Sequence, residues 1–300
     1  MVEISNSYGV YPNKMNVTSR KVVYAKQVPP KIVDLQAKQA TSVASENTPS
    51  VGKMLLGLGV GILALGGAIL AKKVKTSEIT HVFEAIDAKF SKLEQDLPQV
   101  TETFKNVFLR KDLTEKETKE ILNRYKEIEK LGVTGTKEAY AEALFTEAKN
   151  NYGLADVPGL FALRMKELPR TNIGQIAGTT TPYCVVTVHS GQPKKSLLNT
   201  IHHELRHAKQ KITTWNYAPA KYVEYNQPKN MKLTEKDFTE SLGKSKGVAS
   251  MTEEEIQMAK NTLENYKNYV SANKNWKANR TLWVEEDAYN VGNTMENLLG

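Results

Sequence analysis

The sequence predicts an α+β fold: a mostly helical domain with a small β-sheet, preceded by one transmembrane helix. Three observations predict it. Apolar residues recur at helical spacing in most segments after residue 76. One β-rich run, Tyr183-Cys184-Val185-Val186-Thr187-Val188, interrupts that pattern. One stretch of eighteen residues, Met54 to Ala71, carries no charge.

Residues 1–50 are polar, with Pro29-Pro30 and no hydrophobic period, and read as a disordered basic tail. The apolar run begins too far in for a secretory signal peptide. Residues 51–73 read as a transmembrane helix. Met54–Ala71 would be about 27 Å long as a helix, close to the hydrocarbon thickness of a bilayer. Lys53 and the pair Lys72-Lys73 bound it. Gly57, Gly61, Ala64 and Ala68 form a small-residue stripe suited to helix-helix association. Membrane lipid is therefore an expected partner, and a single-pass membrane location is expected; Lys72, Lys73 and Lys75 against Lys38 and Lys53 lean only slightly toward a cytoplasmic C-terminal side.

The charge pattern agrees. The net charge is +8, but residues 1–75 hold ten Lys/Arg against three Asp/Glu, which leaves +1 for the remainder. The basicity faces anionic headgroups. No nucleic-acid footprint is expected on the folded part, because phosphate binding needs clustered positive charge there. A hydrophobic fraction of 40% permits a sizeable core, and the single cysteine, Cys184, excludes an internal disulfide or a Cys-rich zinc cluster.

Residues 76–152 read as helices, either a stalk or the front of the domain that follows at 153–300. Thr114-Glu115-Lys116-Glu117 is a capping box ahead of Ile121, Leu122, Tyr125, Ile128 and Leu131, and Gly132 is expected to stop that helix. Thr136 caps the next one. Gly178 to Pro182 reads as a turn leading into the β-rich run. Three further helices are expected, over about 195–212, 252–272 and 280 to the C-terminus.

The chemistry sits on the first of these three. At 100° per residue, Leu197, Leu198, Ile201, Leu205, Ala208 and Ile212 share one face, which leaves His203 and His207 on the opposite, polar side. Their four-residue spacing stacks two imidazoles one turn apart, within reach of one metal ion. Glu204, turned by about 100° from His203, is placed to hold water on that metal and take its proton. Zinc commonly takes three protein ligands and keeps one position open. The five histidines are His81, His189, His202, His203 and His207, so a third ligand downstream must be an acid. Glu285 is preferred, with Glu286 and Asp287 as rivals. Small Ala288 and Gly292 beside Glu285 would let its helix approach the histidine helix closely, while Val284, Ala288, Val291, Met295 and Leu298 form its core stripe. His202 reads as a surface or packing residue. Tyr289, Tyr217, Tyr222 and Tyr225 are candidates to stabilise an oxyanion.

His-Glu-Leu-Arg-His at 203–207 with Glu285-Glu286-Asp287-Ala288 downstream resembles the gluzincin type of zincin metallopeptidase, over roughly residues 170–298. The resemblance implies Zn²⁺ bound by His203, His207 and Glu285, with Glu204 as general base and acid. It also implies a peptide or protein substrate, laid along the Val185–Val188 strand as an edge strand. The chain departs from many such enzymes in having Tyr289, where Asp often follows the alanine. The metzincin pattern is absent, since its glycine and third-histidine positions hold Gln210 and Thr213. The expected function is that of a membrane-anchored zinc metallopeptidase. The alternatives are a membrane-tethered scaffold with a structural or inactive zincin-like domain, and a toxin-like effector protease.

Overall fold

A computed structural model describes residues 76–171, 174–227, 232–272 and 282–300. The basic tail and the Met54–Ala71 run lie outside the described residues, as does the small-residue stripe. Among the described residues no helix is long and apolar enough to cross a membrane.

Four helices come first: α1 (Thr76–Gln95), α2 (Leu97–Phe108), α3 (Glu115–Thr134) and α4 (Lys137–Asn151). The Thr114 capping box forms: the Glu117 N–H donates to the Thr114 hydroxyl at 3.2 Å, and the Thr114 N–H to the Glu117 carboxylate at 2.9 Å. Thr136 caps α4 through the Ala139 N–H at 3.1 Å. Gly132 does not stop α3, which runs on to Thr134 and ends at Gly135. A Cβ at Gly132 would lie 3.0 Å from two ring carbons of Tyr140, so its lack of a side chain lets α4 pack on α3.

The sheet follows. Strands β1 (Arg164–Lys166), β4 (Gly178–Thr180) and β5 (Val186–His189) form one sheet in the order β1-β5-β4, while β2 (Arg170–Thr171) and β3 (Gly174–Gln175) form a separate antiparallel pair. β5 pairs in parallel with β1 and antiparallel with β4. The expectation of an edge strand at Val185–Val188 is therefore corrected: β5 is central, and the residues read as a turn at 178–180 are the edge. Tyr183 to Val185 belong to the β4–β5 turn. There Cys184 has φ +56°, and its N–H donates to the Thr181 carbonyl at 2.9 Å.

The remaining helices are α5 (Leu197–Tyr217), α6 (Pro219–Tyr225), α7 (Glu235–Leu242), α8 (Glu253–Ala272) and α9 (Trp283–Leu299). α5 is the axis of the molecule's core. Leu197, Leu198, Ile201, Leu205 and Ala208 are buried as expected, but so are His202, His203, Glu204, Arg206, His207 and Gln210. The polar face is not solvated, because α4, α8, α9 and β4 pack around the helix on all sides. Phe104, Phe108, Tyr125 and Leu144 from the first four helices, and Tyr152 just past α4, share one hydrophobic core with Ile201, Leu205, Trp215 and Met295. A helix enclosed on all sides needs a partner for each polar group it carries.

Candidate metal centre

α9 supplies that enclosure on the side of the two histidines. Gln210 bonds the Val284 carbonyl at 2.9 Å, Arg206 bonds Asp287, and Asn199 bonds Glu296, so the two helices run antiparallel. Gly292 permits the close approach: a Cβ there would lie 2.7 Å from Asn199 Oδ1 and 2.9 Å from its carbonyl oxygen. Ala288, fully buried, lies one turn earlier.

The pairing brings Glu285 to the histidines. His203 Nε2 and His207 Nε2 are 3.1 Å apart, and Glu285 Oε2 is 3.8 Å from the first and 3.5 Å from the second. A triangle with these sides has a circumscribed radius of about 2.0 Å, the length of a zinc bond to imidazole nitrogen or carboxylate oxygen. Two imidazoles and one carboxylate are also a donor set of catalytic zinc sites. The residues thus fit a zinc ion, and among the described residues this is the cluster whose ligand atoms converge on one point.

The rivals to Glu285 are elsewhere. Glu286 is exposed. The Asp287 carboxylate takes a fork from Arg206, with Nε to Oδ2 at 2.7 Å and Nη2 to Oδ1 at 2.8 Å. Arg206 also donates to the Val107 carbonyl at 3.0 Å, tying α2 to the site. Gln210 occupies the position that weighed against the metzincin pattern, and here it bonds His207. Its Oε1 lies 2.9 Å from His207 Nδ1, while its Nε2 donates to Asp287 Oδ2 at 2.8 Å. An Nδ1–H donated to Gln210 leaves His207 Nε2 with its lone pair toward the centre of the triangle.

Glu204 faces the sheet. Its Oε2 lies 2.7 Å from the Thr180 hydroxyl, which is also 2.8 Å from the Glu204 carbonyl oxygen. A Cβ on Gly178 would lie 2.7 Å from Glu204 Oε1, so only glycine lets β4 lie against this carboxyl. Burial pushes the Glu204 carboxyl up to about 7, against the pull of His207 and the Thr180 bond. Burial acts against ionisation at Glu285 too, but His207 and His203 outweigh it and hold that carboxyl below its ordinary value. At His207 burial disfavours the cation, and the charge of Glu285 reverses the balance upward.

β4 is a free edge. The His189 N–H donates to the Ala177 carbonyl at 2.7 Å and the Thr181 N–H to the Val185 carbonyl at 3.1 Å. Odd-numbered residues of β4 therefore face β5, and the backbone groups of Gly178 and Thr180 face outward. Among the described residues no strand pairs with that edge.

Other candidates fall into place. Tyr289 stands beside the cluster, its ring centroid 4.5 Å from that of His203. Tyr222 donates its hydroxyl to the Pro182 carbonyl at 2.6 Å, and Tyr225 packs on Tyr266 at 5.8 Å. Tyr217 ends α5, about 15 Å along the axis from His207. His202 is a packing residue and not a surface one, held between the hydroxyls of Tyr125 at 3.1 Å and Tyr152 at 3.3 Å. Burial lowers its imidazole to about 3.

Sequence reasoning missed Thr180, Gly178, Gln210 and Lys211. Lys211 continues the i, i+4 stripe of His203 and His207 and is buried, and burial lowers its ammonium while Cys184, Glu204 and Glu285 oppose that shift. The stripe itself was the available signal for Lys211 and, one position aside, for Gln210. No family model matches the chain, and no curated protein or solved structure matches it either.

Proposed function

We propose that the chain is a zinc metallopeptidase hydrolysing peptide bonds, with His203, His207 and Glu285 as metal ligands and Glu204 as general base and acid. The observation that carries this reading is the convergence of three ligand atoms at zinc-bond radius beside a buried carboxyl held near pH 7. Zinc, when held there, supplies Lewis acidity to the scissile carbonyl and the attacking water. The chain's own residues do the rest. Glu204 Oε2 takes a proton from the water and returns it to the leaving amine.

Thr180 suits both states of that carboxyl. When Glu204 is charged, the Thr180 hydroxyl donates to Oε2 at 2.7 Å. When Glu204 is protonated, its O–H donates to Thr180, whose own hydrogen turns to the Glu204 carbonyl at 2.8 Å. Tyr289, beside His203, is the nearest tyrosine to a developing oxyanion among those named.

A second reading, a scaffold with a structural zinc site, is favoured by one observation: Glu204 is only 2% exposed. One experiment separates the two. The full-length chain, purified in detergent and loaded with zinc, is assayed on a peptide library alongside Glu204→Gln. Hydrolysis that falls about 10²–10⁴-fold in Glu204→Gln, at unchanged zinc content, supports the enzyme. Bound zinc with no hydrolysis in either protein supports the scaffold.

A further inference from the structure

One cleft is not used by the chemistry above. It encloses about 480 Å³ at the N-terminal end of α5, between the end of β4 and α9. Ala177, His189, Gln192, Asn199, Thr200 and Glu296 line it. Two of these residues connect it to the metal centre. Thr200 packs beside Glu204, its Cγ2 2.9 Å from where a Cβ on Gly178 would stand. Asn199 lies four residues before His203, about 6 Å along the axis. An extended peptide advances about 3.3 Å per residue. An extended peptide held at the metal centre and running toward the N-terminal end of α5 therefore brings a residue about two positions from the scissile bond to this cleft.

The lining chemistry selects the side chain. Glu296 is the one carboxylate of the lining, which holds neither Lys nor Arg. Its Oε2 accepts from Asn199 Nδ2 at 2.8 Å. That bond fixes the carboxylate without neutralising it, and leaves Oε1 for a ligand. Two nearby cations are held by carbonyls: Lys137 binds the Ser190 carbonyl and Lys194 the Gly132 carbonyl. Other groups are also spoken for, with Thr200 donating to Gln192 Oε1 at 3.0 Å and the Leu168 N–H to His189 Nδ1 at 3.1 Å. A half-buried carboxylate held in place at the end of a roomy cleft is matched by a long cationic side chain, whose stem lies along the wall while its head reaches Oε1.

We propose that this cleft is a specificity subsite for a lysine or arginine side chain of the substrate, with Glu296 as the specificity-determining residue. The inference rests on the peptidase reading for the path of the peptide. The test is built so that the two fail separately. Full-length Glu204→Gln chain, zinc-loaded, is titrated with fluorescent alanine-based pentapeptides carrying one lysine, one norleucine or one glutamate at each position in turn. Lysine at one position is expected to bind about tenfold tighter than norleucine, the scale of one charge-assisted contact. Glu296→Gln, nearly isosteric, removes that advantage, and Glu296→Lys transfers it to the glutamate peptide. Equal binding of all three peptides, no binding by any, or a lysine advantage that survives Glu296→Lys overturns the subsite. If the preference follows Glu296 while the wild-type chain cleaves nothing, hydrolysis fails and the subsite stands. If the wild-type chain cleaves peptides with no dependence on Glu296, the subsite fails and hydrolysis stands.

Discussion

The Thr180 hydroxyl lies 2.7 Å from Oε2 of Glu204 and 2.8 Å from the carbonyl oxygen of the same residue. The edge strand and the histidine helix meet at the proposed base. Thr180→Val keeps the shape of the side chain and removes the hydroxyl. The hydroxyl bond lowers the Glu204 carboxyl, so its loss raises that group further. Glu204 works as a base only when ionised. The acid limb of the kcat–pH profile therefore moves to higher pH, with kcat about tenfold lower on that limb. An acid limb that stays in place would remove Thr180 from the account.

Gly178 is required by contact and not by backbone angle. Its missing Cβ would lie 2.7 Å from Glu204 Oε1, 2.8 Å from its Cγ and 2.9 Å from Thr200 Cγ2. Gly178→Ala forces β4 off α5 or swings the carboxyl aside. A stability loss of about 1–3 kcal/mol is expected by urea titration, the usual cost of overpacking, together with a drop in hydrolysis larger than the lost folded fraction explains. Wild-type stability and turnover in Gly178→Ala would contradict the close approach.

Gln210 holds His207 Nδ1 at 2.9 Å and reaches Asp287 at 2.8 Å. Gln210→Met keeps the bulk and removes these bonds together with the one to the Val284 carbonyl. Zinc affinity, measured by competition with a chromophoric chelator, should fall about 10–100-fold, the usual effect of losing a group that orients a histidine ligand. An unchanged affinity would mean that His207 is oriented by something else.

The sequence made the proposed metal ligands legible because their spacing is a helical property. Two histidines four apart share a face whatever surrounds the helix, and Ala288 and Gly292 signalled close packing at Glu285 without any knowledge of the partner. The environment of α5 was not legible. A helix with polar residues opposite an apolar stripe looks amphipathic, yet Arg206 and Gln210 are buried because Asp287 and the Val284 and Val107 carbonyls, all distant in sequence, satisfy them. The β4 edge was hidden for a related reason. Gly178-Thr179-Thr180 carries turn residues, and its pairing with β5 is set by register and by contact with Glu204. Gly132 misled in the same way: tertiary contact with Tyr140 overrode its tendency to end a helix.

His202 makes a pH-dependent contribution to folding. Its imidazole, fully buried between Tyr125 and Tyr152, is lowered by burial to about 3, while in the unfolded chain it titrates near its ordinary value of about 6.5. The unfolded state then binds the proton first as pH falls. The stabilisation is complete above about pH 6.5 and is lost as pH drops toward 3. Between pH 6.5 and 5 the loss is about 2 kcal/mol. Urea midpoints at the two pH values, compared with His202→Gln, should show a smaller decline in the variant. Parallel declines would assign the acid sensitivity to other groups.

The central claim is that His203, His207 and Glu285 hold one zinc ion. The direct measurement is zinc stoichiometry after equilibrium dialysis of the metal-free full-length chain, alongside His203→Ala and Glu285→Ala, each checked for retained helix content by circular dichroism. The account predicts one zinc per wild-type chain and a large loss of affinity in both variants. A wild-type chain that retains no stoichiometric zinc, or folded variants that retain as much as the wild type, would contradict it.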